Sequence, residues 1–163
     1  MPGKKPHALP WLFLSFAVMT LDQFSKALVL GRLQVGVSHP VMPGLLSWTL
    51  TFNPGAAFSF LAQCGGWQRW LFVLVALVIS LILGARLAYI ARHDWRSALP
   101  FALIIGGAMG NMIDRLHATG VTDFIDVYYR RWHYPVFNVA DCAITVGAAL
   151  LVVCGLFGSG KRT

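Results

Sequence analysis

The sequence contains no glutamate: all six acidic residues among its 163 are aspartates, set against 13 Lys and Arg. Charge of either sign is scarce, at 12% of the chain, while 57% is hydrophobic and the mean hydropathy is +0.66. That balance excludes an ordinary soluble domain, which needs more polar surface than this chain supplies. The three cysteines, Cys64, Cys142 and Cys154, are odd in number and nowhere spaced as CxxC. They indicate neither a zinc site nor a full disulfide framework and read as small apolar residues. The five histidines, His7, His39, His93, His117 and His133, never form HExxH, so a zinc peptidase lacks its ligands. No GxSxG occurs, and Ser159, between Gly158 and Gly160, sits in a basic tail. Ser25 beside Lys26 fails as a Ser/Lys pair because adjacent helical residues do not face each other. Cys142 has no histidine in its span to make it a thiolate. No basic run interleaves with aromatics in a polar segment, so the positive balance does not indicate nucleic acid.

What the chain does have is four long apolar runs. A bilayer core about 30 Å thick takes roughly 20 helical residues to cross, and runs at about 9–30, 67–90, 97–113 and 136–157 meet or approach that length. The expected fold is an all-α membrane protein of four transmembrane helices in a single domain over 1–163. Its longer connections are 31–66 and 114–135. The first holds a β-like stretch, Leu45 to Phe52, in which Trp48, Leu50 and Phe52 alternate with Ser and Thr. Trp67, Arg69 and Trp70 open the second span with side chains suited to the headgroup region. Gly106, Gly107 and Gly110 in the third permit close helix approach, and Pro100 is expected in its first turn, where a missing N–H does no harm. Lys4 and Lys5 before an apolar run resemble a secretory leader, but no A-x-A site follows and three more spans do.

Basic residues orient such a bundle. Lys4, Lys5, Arg86, Arg92, Arg96, Lys161 and Arg162 all fall on one side, in short segments. Lys26, Arg32, Arg69, Arg115, Arg130 and Arg131 fall on the other, spread over longer connections. The positive-inside rule then puts both termini in the cytoplasm. If the spans alternate in direction, Asp22, Asp114, Asp123, Asp126 and Asp141 share the opposite face with Asn53, Asn111 and Asn138, and only Asp94 is cytoplasmic.

A carboxylate in or near hydrocarbon costs about 2.5–3.5 kcal/mol and usually marks function. Asp22 and Lys26, four residues apart, form either a local ion pair or part of a working site. Asp114 and Arg115 fit a cap and anchor at the end of span three, and Asp126 fits a solvated loop residue. Asp141 has no basic residue at helical spacing and needs a partner from elsewhere. Asp123 is flanked by Val121, Phe124 and Ile125, which draw it toward lipid. Two such acids, expected from the third and fourth helices, would share one proton at low dielectric. One carboxylate would activate water while the other polarised a peptide carbonyl.

Five ordered blocks resemble the bacterial lipoprotein signal peptidases, or signal peptidases II. They are Leu21-Asp22-Gln23-Phe24-Ser25-Lys26, Asn53-Pro54-Gly55-Ala56-Ala57-Phe58, Gly106 to Arg115, Val121-Thr122-Asp123-Phe124-Ile125 and Phe137-Asn138-Val139-Ala140-Asp141. Pro54 and Thr122 depart from the family pattern and remove no side chain the chemistry needs. The resemblance implies an aspartyl endopeptidase of the bacterial inner membrane that cuts prolipoproteins on the amino side of a diacylglyceryl-modified cysteine. Asp123 and Asp141 take the catalytic positions. Asn53, Asn111, Asp114, Arg115 and Asn138 take the supporting and substrate-contacting ones, and Asp22 and Lys26 fall on the structural polar block. Asp126 is assigned no catalytic part. The 31–66 loop takes the place of the family's extracytoplasmic β cradle. The implied partners are the lipid-modified prolipoprotein and membrane lipids, with no nucleic acid, no cofactor, no metal and a monomeric state. The span-three glycines, with Ala56 and Ala57, would leave room for a peptide. A proton-coupled transporter or channel subunit is the alternative and would need polar residues through the midplane of the spans. A non-catalytic scaffold would leave each aspartate replaceable.

Overall fold

The computed structural model describes residues 7–55, 66–118 and 120–157, with Phe157 described in its backbone alone. Lys4, Lys5, Lys161, Arg162, Ser159, Cys64 and the Ala56-Ala57-Phe58 end of the second block lie outside the described residues. Four helices are long and apolar enough to cross a membrane. A 3-10 turn at Leu9–Trp11, with Pro10 inside it, leads into α1 at Leu12–Leu30. Gly66, in the left-handed region at φ 90°, precedes α2 at Trp67–Tyr89. A short link leads to α3 at Trp95–His117, and α4 spans Val139–Phe157.

The bundle is inverted relative to a soluble protein. Large apolar side chains such as Phe13, Phe16, Leu81, Val152 and Leu156 face outward, while small residues such as Ala98, Ala102, Ala108, Ala140 and Ala143 are buried. This is the arrangement expected where lipid, not water, surrounds the helices and contact between them depends on close backbone approach. The central helix is α3: half of its span window is buried, against 11–17% in the other three. It touches α1, α2 and α4.

Three helix boundaries differ from those expected. The α3 helix starts at Trp95 because Asp94 precedes it, accepting the Ala98 N–H on its carbonyl at 3.0 Å and the Ser97 hydroxyl on its carboxylate at 2.9 Å. Pro100 therefore lies beyond the first turn, inside the helix. At its other end α3 continues to His117, so Asp114 and Arg115 belong to a helical turn and not to a loop. The start of α4 moves in to Val139 because Phe137 is still paired with Ile125 of the neighbouring strand.

The two long connections meet in one antiparallel sheet of order β1-β2-β3-β4. Strands β1, Ser38–Met42, and β2, Leu46–Asn53, come from the first connection. Strands β3, Val121–Tyr129, and β4, Trp132–His133, come from the second. The β1–β2 turn has Pro43 followed by Gly44 at φ 83°, closed by a 3.0 Å bond from Leu45 N to Met42 O, which is type II chemistry. The exposed edge strand β1 carries Pro40 and a register shift, features that blunt an open edge. A register shift between Trp48 and Thr51 of β2 breaks the strict alternation expected there, so Leu50 is buried and Phe52 exposed.

The α3–α4 contact sets the position of the fourth helix. A Cβ added to Gly107 would lie 2.4 Å from the Ala140 carbonyl oxygen and 2.8 Å from Ile144 Cγ1, and a backbone carbonyl yields only if α4 shifts. Gly107→Ala is expected to destabilise the protein by ~1–3 kcal/mol, read as a lower thermal midpoint in detergent. Gly84→Ala, with open space at its Cβ position, should leave the midpoint unchanged or raise it.

Candidate active site

The polar residues of all five sequence blocks converge at one end of the bundle, and the site begins with a buried cation. Lys26, 2% exposed on α1, directs its ammonium to Asp22 Oδ2 at 2.7 Å, Asp114 Oδ2 at 2.9 Å and Asn111 Oδ1 at 3.0 Å. These three acceptors match the three donors of an ammonium group. The local Asp22–Lys26 pair expected from sequence is present, and it is one part of a larger assembly.

Each acid in that assembly also holds a different backbone segment. Asp22 Oδ1 accepts the Ala140 N–H at 2.9 Å, satisfying one of the free donors at the start of α4. Asp114 Oδ2 accepts the Thr122 N–H at 2.9 Å and so fixes β3 beside α3. Gln23, which the sequence reading passed over, donates to Asp114 Oδ1 at 2.8 Å and to the Gly110 carbonyl at 3.0 Å. Its position between Asp22 and the rest of the first block was the available signal. Glycine is required at 110, where a Cβ would sit 2.6 Å from Asp22 Oδ2.

Asn111 and Asn138 carry the network from Lys26 to the two candidate catalytic acids. Asn111 Nδ2 donates to Asp141 Oδ1 at 2.8 Å, which is the partner that Asp141 lacked within its own helix. Asn138 Nδ2 donates to Asp123 Oδ1 at 2.7 Å and to Asn111 Oδ1 at 3.1 Å. Asn138 and Asp141 also form a reciprocal capping box: Asn138 Oδ1 accepts from Asp141 N at 2.9 Å, and Asp141 Oδ2 accepts from Asn138 N at 3.2 Å. The N-x-x-D spacing carries this cap in the sequence and marks the true helix start. One asparagine thus contacts both acids.

Asp123 is not on a helix, as expected from sequence, but on β3, opposite Thr51 of β2. It is 1% exposed. Burial, and then the charge of Asp141, push its carboxyl up to about 7, against the pull of hydrogen bonds from Asn53 and Asn138 and the charge of Lys26. Asn53 ends β2 and turns the chain by accepting the Gly55 N–H at 3.0 Å. Gly55 has φ 131° and leaves no room for a Cβ, which would fall 2.9 Å from the Phe72 ring.

Arg115 stands beside this network without joining it through a side-chain pair. Its guanidinium donates to the Asn111 carbonyl at 3.1 Å and lies 5.0 Å over the Phe72 ring, within the field of Asp141, Asp123 and Asp114. Arg69 of α2, also missed from sequence, donates to the carbonyls of Arg115 and Leu116 at the end of α3. Asp126 corrects an expectation: it is 3% exposed on β3, not a solvated loop residue. Its Oδ2 accepts the hydroxyls of Ser47 at 3.1 Å and Thr49 at 3.0 Å, and its Oδ1 lies 2.8 Å from His133 Nδ1. None of its hydrogen bonds reaches Asp123 or Asp141. Among the described residues, no three His, Cys, Asp or Glu side chains converge as a metal-ligand set.

The fold and site together define a multi-pass membrane protein with a buried polar layer that ends in a carboxylate pair. Residues 14–157 match the family described as Signal peptidase (SPase) II, and the chain belongs to that family. It is 51% identical over 158 residues to a lipoprotein signal peptidase of Xanthomonas campestris pv. campestris, covering 97% of this chain and 94% of that one. It is 53% identical over 158 residues to a lipoprotein signal peptidase of Xanthomonas oryzae pv. oryzae, covering 96% and 95%. With a lipoprotein signal peptidase of Xylella fastidiosa it shares 49% identity over 154 residues, covering 94% and 92%. Two solved bacterial membrane enzyme structures superpose at TM-scores of 0.79 and 0.80 with 27% identity, covering 98% of this chain and 97% and 100% of theirs.

A carboxyl that titrates near 7 when folded, against 3.8 ordinarily, keeps a proton that the unfolded chain has already lost. Its contribution to stability is therefore full below about pH 4, declines as pH rises toward 7 and is gone above that. The Asp123→Asn variant should lack this decline. In detergent melts it should gain on wild type between pH 4 and pH 8 by an amount on the order of 4 kcal/mol. Parallel pH profiles for the two proteins would refute the raised value.

Proposed function

We propose that this chain is an endopeptidase that removes signal peptides from prolipoproteins, cutting on the amino side of the diacylglyceryl-modified cysteine with Asp123 and Asp141 as its catalytic pair. The observation that carries this reading is the shared contact of Asn138, whose side chain holds Asp123 and whose backbone N–H holds Asp141. Asp123, buried and raised to about 7, is suited to hold the shared proton. Asp141, half-buried, accepts from Asn111 Nδ2 and from the Asn138 N–H and takes the part of the base.

In this mechanism Asp141 takes a proton from water as the water oxygen attacks the scissile carbonyl carbon, and Asp123 gives its proton to the carbonyl oxygen. The tetrahedral diol collapses when Asp123 takes back a hydroxyl proton and Asp141 passes its own to the departing amine. The C–N bond breaks, and the pair returns to one proton. No cofactor or metal takes part. Asn53, Asn111 and Asn138 hold the carboxyl groups in place, Asp114 with Asp22 and Lys26 supports them from below, and Arg115 is placed to meet substrate.

The topology of the proposal is an inner-membrane protein with cytoplasmic termini and the acid pair near the outer boundary, acting as one domain over 1–163. Both acids come from one chain, so a monomer suffices. A signal peptide and a diacylglyceryl-cysteine both partition into the bilayer, and a pair held at the membrane surface would meet the bond between them. A transporter reading is disfavoured because the polar network occupies one end of the bundle. The other end is built on the apolar cluster Ala8, Leu87, Ala98 and Ile105.

The test is cleavage of a lipidated prolipoprotein by purified protein in detergent, followed on a gel. Asp123→Asn and Asp141→Asn should each lower the rate by ~10²–10⁴-fold, the usual scale of acid–base catalysis. Asp126→Asn should cleave near the wild-type rate, and excess chelator should leave wild type active. Wild-type rates from either of the first two variants would sink the dyad.

A further inference from the structure

At the end of the bundle opposite the aspartates, the 3-10 turn before α1 is fastened to the α2–α3 link. Ala8 N donates to the Leu87 carbonyl at 3.0 Å and to the Ile90 carbonyl at 3.1 Å, and His7 pairs with Ala91. The Trp11 indole N–H reaches the Arg92 carbonyl at 3.2 Å, which fixes the plane of the ring. Beside these segments lies an open groove of about 360 Å³ lined by Pro10, Trp11, Leu14 and Arg92. Three of the four lining residues are apolar, and Arg92 is the charged one.

We propose that this groove binds one anionic phospholipid, with the phosphate on Arg92 and the first part of an acyl chain along Trp11 and Leu14. Three features favour this occupant. Among the described residues the Arg92 side chain has no hydrogen-bond or ion-pair partner, while the single aspartate nearby, Asp94, is bonded to Ser97. Arg86 in the last turn of α2 and Arg96 over the Trp95 ring add positive charge to the same end, so a net-neutral headgroup lacks the complement that an anionic one has. The apolar wall continues into α1, where Phe13 is exposed, and tryptophan settles at the headgroup boundary of a membrane. A free phosphate would use Arg92 and leave that wall without a purpose.

The full-length protein, purified in detergent, would be titrated by native mass spectrometry with dioleoylphosphatidylglycerol, dioleoylphosphatidylcholine or inorganic phosphate. Wild type should retain phosphatidylglycerol in preference to phosphatidylcholine. Arg92→Gln should weaken retention about fivefold, the effect of one arginine at a charged membrane surface. Arg32→Gln, an equal loss of charge at the far end of α1, should change nothing. Equal retention of the two lipids, or the same phosphatidylglycerol affinity in Arg92→Gln as in wild type, would overturn the proposal. So would an equal loss in Arg32→Gln, or phosphate binding as tightly as the lipid. Both substituted residues are exposed, so folding is not at risk.

Discussion

The site depends on one buried ammonium group. Lys26 is 2% exposed and its carboxylate partners Asp22 and Asp114 are buried with it. In a medium of low dielectric an unpaired charge at this depth would be strongly unfavourable, and removing one member of such a pair typically costs ~3–5 kcal/mol. The partners are therefore held to a narrow geometry, and they come from different helices. Asp22 shares α1 with Lys26, while Asp114 and Asn111 come from α3. Neutralising the cation thus fixes α1 against α3 and, through Asp22 and the Ala140 N–H, the start of α4 as well.

The second consequence is the placement of the acid pair. Asn111 and Asn138 each bridge two partners, so the positions of Asp123 and Asp141 are set by the geometry around Lys26 and not by loop conformation. Strand β3 brings Asp123 in, and it is anchored at both ends of its polar stretch. Asp114 holds Thr122 on one side, and the Asp126 carboxylate ties the strand to Ser47, Thr49 and His133 on the other. Asp126 follows Asp123 at an offset of three, an odd number, so their side chains leave opposite faces of the strand. One faces the helices and the second asparagine. The other faces the sheet, where it acts as a clamp.

Much of this was legible in the residues. Four apolar runs gave four helices, because a segment without charges over that length has few other places to go. Parity alone gathered five aspartates and three asparagines at one end, since alternate crossing leaves their segments nowhere else to be. The strand at Leu46–Asn53 was visible in its alternation. What was not visible was its partner, because strand pairing between 46–53 and 121–127 is a contact between segments about 75 residues apart that neither segment announces. Asp126 was misread for that reason: within its own segment it resembles a loop carboxylate, and only β2 supplies the hydroxyls that bury it.

The sequence by itself determined the number of long apolar helices, which polar residues share one end of the bundle and, through its ordered blocks, the family. These follow from composition and from covalent order, which any conformation must respect. Tertiary structure alone decided that Asp123 rides on a strand and that Gln23 and Arg69 support the site. It also decided that Asn138 touches both acids. Those are properties of hydrogen bonds a few ångströms long between residues far apart in the chain, and such bonds exist only once packing has fixed both ends.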